Sequence, residues 1–76
     1  MKGRLFEILE DIRPDVDFLT EKHLIDGKVL ESFDIVTLVS EINDEFDIEI
    51  GPRELTADNF NSIDSIIQMI ERLQDD

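Results

Sequence analysis

Apolar residues recur at helical spacing in three separate stretches of the chain. Leu5, Ile8, Leu9 and Ile12 fall at i, i+3, i+4 and i+7, which puts them on one face of a helix with 3.6 residues per turn. Arg13-Pro14 ends that pattern, because proline disfavours helical backbone in the residue before it, so a first helix is predicted over residues 3–13. In the second stretch Ile35, Leu38, Val39, Ile42 and Phe46 form an inward stripe, with Asp34, Thr37, Glu41, Asp44 and Glu45 largely outside it; this predicts a second helix from Ser32 to about Phe46. The third stretch, Ile63, Ile66, Ile67, Ile70 and Leu73, predicts a last helix with Ser62 placed to cap it.

The segments between these stripes read differently. From Pro14 to Glu31 no period holds; Asp15, Asp17, Thr20 and Asp26-Gly27 mark turns, while Val16, Phe18, Leu24, Ile25 and Leu30 are apolar enough to pin the segment to a core. A loop of that length inside a small domain is usually functional or packed back onto the body. Asp47-Ile48-Glu49-Ile50 alternates acidic and apolar residues before Gly51-Pro52 breaks the chain, giving a connector whose isoleucines dock inward. Thr56 or Asp58 then caps a short turn of helix around Ala57 to Asn61. The expected architecture is all-α, with three long helices plus one short helix in an up-down bundle with a long first loop. No internal repeat or linker interrupts residues 1–76, so a single domain is expected.

Composition narrows what such a domain does. The 76 residues contain no cysteine, so burial alone must hold the core, without disulfides or a thiolate metal site. Twenty acidic residues against seven basic ones give a net charge of −13, which repels nucleic-acid backbones and anionic membrane surfaces. Nucleic-acid binding and stable membrane insertion are therefore not expected, and the longest apolar runs are far below the roughly 20 residues a spanning helix needs. A cytoplasmic monomer is expected. The charge is uneven: residues 31–76 hold two basic and 13 acidic side chains, a balance of −11.

Catalytic parts are missing. His23 is the one histidine and has no second histidine at ligand spacing, so it is read as exposed or capping a carbonyl, with no metal or catalytic role. The three glycines form no phosphate-cradling cluster. Setting Gly27 or Gly51 as the sixth position of a calcium loop puts Lys22 or Phe46 first, and neither supplies a ligand. An enzyme working through carboxylates needs two of them converging in an apolar cleft, which a stripe along a helix does not create. The chain is not expected to be an enzyme.

Ser32 stands where the turn-rich stretch meets the acidic helix, a position that ordinarily reads as an N-cap. Its surroundings, Leu30-Glu31-Ser32-Phe33-Asp34-Ile35-Val36-Thr37-Leu38-Val39 followed by Glu45-Phe46-Asp47-Ile48-Glu49-Ile50, resemble the acyl carrier protein family. In that family a serine in an Asp-Ser-Leu motif receives a 4′-phosphopantetheine arm from coenzyme A through a magnesium-dependent phosphopantetheinyl transferase, and acyl or aminoacyl groups ride on the arm's thiol. The resemblance implies that Ser32 is the attachment residue, with Asp34, Val36, Leu38 and Val39 matching the residues that follow it. It spans nearly the whole chain, and positions 31–50 carry most of its specificity. Glu31 replaces the usual aspartate and Phe33 the usual leucine, while Thr37 and Ser40 depart from fatty-acid carriers. Leu-Glu-Ser-Phe after an Asp-Gly turn looks closer to D-alanyl carriers and some peptidyl carriers, whereas Glu45-Phe46-Asp47 is similar to fatty-acid biosynthesis carriers.

A phosphodiester on Ser32 would lie at a helix N-terminus, where unpaired N–H groups and the helix dipole favour negative charge. No basic residue occurs among positions 31–49. Glu31, Phe33, Asp34, Thr37, Glu41, Asp44 and Glu45 are therefore the expected docking residues for loading and transferring enzymes with basic patches, reached through fast, salt-sensitive encounters. The alternative is a degenerate carrier-fold module that keeps the acidic docking surface and lacks the arm. Ile35, Val39, Ile42, Ile63, Ile67 and Ile70 are expected to be core, with the space between the second and last helices the place for a long acyl chain.

Overall fold

The computed structural model describes residues 2–75 as four α-helices and one 3-10 turn, with no strand among them. Helix α1 spans Lys2–Ile12, α2 Ser32–Phe46, α3 Ala57–Phe60 and α4 Ile63–Asp75, and the 3-10 turn covers Pro52–Glu54. The three long helices and the short one therefore lie where the apolar spacing puts them. Helix α1 packs against both α2 and α4, and α3 packs against α4.

The buried side chains come from every segment. Leu5, Ile8 and Leu9 of α1, Leu38 and Ile42 of α2, Phe60 of α3 and Ile63, Ile66, Met69 and Ile70 of α4 form one cluster with Phe18, Leu24 and Leu30 of the first loop and Ile50 of the connector. The first loop is thus packed into the core through three residues. Ile35, Val39 and Ile67 sit at the cluster's edge, partly buried, so the expected interior is right in kind but Met69, which lies on the same face as Ile66 and Ile70, joins it.

Capping chemistry sets the helix ends. The Ser62 hydroxyl accepts from the Ser65 N–H at 3.1 Å, and the Thr56 hydroxyl accepts from the Asn59 N–H at 3.3 Å, each occupying a first-turn amide that has no intrahelical partner. Asp47 closes α2 in the left-handed region (φ 53), its N–H donating to the Asn43 carbonyl. The Asn43 side chain then accepts from the Ile50 N–H at 3.0 Å, which turns the connector back so that Ile50 is buried. Gly27 has a specific reason to be glycine: a Cβ there would meet the His23 carbonyl oxygen at 2.6 Å.

Candidate functional site

Ser32 is exposed and occupies the first helical position of α2, with Glu31 as the N-cap residue in extended backbone (φ −93, ψ 170). This corrects the ordinary reading of Ser32 as a cap. The Glu31 N–H donates to Asp34 Oδ2 at 3.1 Å, and Arg13 Nη1 donates to the same oxygen at 3.2 Å. Asp34 thereby fastens the start of α2 to the segment that leaves α1, and its side chain is only 15% exposed. The Ser32 hydroxyl is left out of this network and faces solvent.

A second tie holds the loop that leads into Ser32. Asn61, between α3 and α4, accepts through Oδ1 from the N–H groups of Ile25 and Asp26, both at 3.0 Å. Its Nδ2 donates to Asp26 Oδ2 at 3.0 Å, and its carbonyl accepts from the Leu24 N–H at 2.9 Å. The Leu24 carbonyl in turn accepts from the Leu30 N–H at 2.9 Å, two residues before Ser32. One asparagine thus sets the turn from which the chain enters α2. Asn61→Ala is expected to lower unfolding stability by about 1–3 kcal/mol, because two amides lose their acceptor; urea denaturation reads this, and an unchanged midpoint would show that the turn holds itself.

The expected docking residues divide by environment. Phe33 is 80% exposed, and Glu31, Glu41 and Asp44 are exposed. Val36, at 69% exposed, joins them and was not among the expected set, since its spacing alone does not tell a rim from a core position. Thr37 is half-buried and its hydroxyl donates to the Phe33 carbonyl at 3.2 Å. Asp34 is engaged as described, and Glu45 accepts from Arg4 Nε at 2.8 Å. The hydrogen bonds that Arg4 donates to Glu45, and next to Glu7, hold its guanidinium charge more firmly than usual. His23 is exposed, and no cluster of potential metal ligands occurs among the described residues.

The family described as phosphopantetheine attachment site matches residues 28–70, which enclose Ser32, all of α2 and Asn61 itself. The chain belongs to the phosphopantetheine-attachment carrier family. It is also similar to the D-alanyl carrier proteins of Streptococcus sanguinis, at 29% identity, and of Streptococcus gordonii and Streptococcus thermophilus, at 28% each; every match covers 97% of this chain and 95% of the relative. It is therefore a carrier protein whose prosthetic group is 4′-phosphopantetheine, in a family that carries groups for other proteins and is not itself catalytic. The start of α2 fits such a group: an exposed hydroxyl beside first-turn amides at the positive end of a 15-residue helix. No helix among the described residues is long and apolar enough to cross a membrane.

Proposed function

We propose that Ser32 bears the 4′-phosphopantetheine arm and that residues 1–76 act as one cytoplasmic, monomeric carrier unit for a short aminoacyl group of the D-alanyl kind. The observation that carries the attachment is the exposed Ser32 hydroxyl at the first position of α2, inside the matched segment and free of capping duty. When bound, the arm supplies the thiol on which the cargo rides. The chain's own residues would hold the arm's base: Asp34, anchored by Arg13, fixes the first turn, and a helix N-terminus of this kind would favour the arm's phosphate. Tethering then raises the effective concentration of the cargo at whichever enzyme has docked.

The short cargo is supported by the names of the relatives and by the small cavity on the side of α2 that faces α3. That cavity, one turn along from Ser32 and lined by Ile25, Ile35, Leu55, Thr56, Ala57 and Phe60, has a volume of about 60 Å³, well below the roughly 300 Å³ at which ligand clefts begin. None of Val39, Ile42, Ile63, Ile67 and Ile70 lines it, so a fatty acyl chain would have to open the packed interior. A small aminoacyl group has no such need. For docking, Glu31, Phe33, Glu41 and Asp44 present themselves outward, while Asp34, Thr37 and Glu45 act by shaping that surface.

Incubation with coenzyme A, magnesium and a broad-specificity phosphopantetheinyl transferase is expected to add the mass of one arm. Alanyl loading of that arm is expected to leave the amide resonances of Ile42, Ile63 and Ile70 in place. No mass gain overturns the carrier assignment at Ser32, and interior shifts on loading overturn the cargo.

A further inference from the structure

Between α1 and α2 runs a groove of about 310 Å³ lined by Ile8, Asp11 and Ile12 from α1 and by Phe33, Asp34, Thr37 and Glu41 from α2. Its floor is apolar, since Ile8 is nearly buried and Ile12 half-buried. One wall carries the ring of Phe33, the most exposed large apolar side chain among the described residues. A phenylalanine held 80% in water forfeits most of the burial that stabilises its kind in a core. The charges in the groove differ in kind. Asp34 is already neutralised by Arg13, whereas Asp11 and Glu41 take part in no ion pair among the described residues.

An apolar floor, one exposed aromatic ring and two unpaired carboxylates match a side chain with an aliphatic stem and a planar cation. Arginine combines those features: its stem packs on apolar surface, its guanidinium stacks on an aromatic face, and its fork pairs with carboxylates. A lysine offers the charge without the plane. The volume is that of a small ligand cleft, large enough for one such side chain with an apolar neighbour.

We infer that the α1–α2 groove is a docking seat for an arginine-bearing helical segment of an enzyme that loads or unloads the arm. This rests on the carrier reading, and it extends the docking surface from the outer face of α2 onto α1 through Asp11 and Ile12. Because Phe33 follows Ser32 directly, an arginine seated there places the partner next to the arm's base. The pairs are solvent-facing, so the contact is a weak, salt-sensitive one suited to repeated exchange of partners.

The probe is a synthetic helical peptide with arginine and leucine four residues apart, titrated into the isotope-labelled chain, arm-loaded and unloaded, and followed by amide shifts. Saturable shifts are expected at Asp11, Ile12, Phe33 and Glu41. Asp11→Asn with Glu41→Gln is expected to weaken binding about threefold to tenfold. Phe33→Ala is expected to remove the preference for the arginine peptide over its lysine counterpart. Asp58→Asn with Glu71→Gln changes the net charge equally at exposed positions outside the groove and is expected to leave binding in place. If that control pair weakens binding as much as the groove pair, or if shifts spread along α2 and α4 without α1, the seat does not exist. Arm loading is read separately by mass, so a chain that takes no arm and still binds the peptide overturns the carrier reading alone.

Discussion

Ser32→Ala is expected to give a chain that folds as before and accepts no arm. The loss is complete because attachment needs a particular oxygen, and the other hydroxyls are committed or misplaced. Ser62 and Ser65 share a hydrogen bond at 2.9 Å, Thr56 caps α3, and Thr37 donates to the Phe33 carbonyl. Ser40 is exposed but lies in the middle of α2, where every amide is used within the helix and a phosphate meets no free donors. Stability is expected to stay within about 0.5 kcal/mol, since the side chain is exposed and the cap is made by Glu31 and Asp34. Mass spectrometry after incubation with the transferase and coenzyme A reads the first expectation, and urea denaturation the second. An arm on Ser32→Ala would move the attachment elsewhere; its loss from Ser40→Ala would point to that residue.

How far the site could be read from the sequence depends on the range of the forces that build it. The stripes Leu5-Ile8-Leu9 and Ile63-Ile66-Ile70 and the limits of α2 are local patterns, and the structure repeats them to within a residue or so. Ser32 was visible because its neighbours in sequence carry the motif. Asn61 was not, because its hydrogen bonds reach Ile25 and Asp26 across 36 and 35 positions, a separation no periodicity reports. The one signal was its type: an asparagine in the turn between two helices often bonds to backbone. Asp34 illustrates the reverse difficulty. Its position off the apolar stripe reads as solvent-facing, yet Arg13 and the Glu31 amide draw it inward, because a carboxylate in a first helical turn gains from both the dipole and the cap. The turn at Pro52–Glu54 follows from proline at its first position, and it was legible only as a break.

Phe60→Ala is expected to cost the most of any single truncation near the site. A buried phenylalanine cut to alanine loses about 3–5 kcal/mol, and a 76-residue chain at about 0.05–0.15 kcal/mol per residue has only about 4–11 kcal/mol in all. Phe60 is 1% exposed and is the buried side chain of α3, a helix of four residues. So short a helix has no stability of its own; its place depends on that ring being clamped under the first loop and against α4. Adjacent Asn61 holds the turn that leads to Ser32, so freeing α3 releases the turn as well. The variant is therefore expected to show both a lowered urea midpoint and slower arm loading at a temperature where helix content is retained. Leu55→Ala, which removes a 49% exposed side chain from the same cavity wall, is expected to change stability by about 0.5 kcal/mol or less. Should Phe60→Ala cost less than about 1 kcal/mol, or cost stability without slowing loading, α3 would not be the element through which the α4 side of the molecule fixes the approach to Ser32.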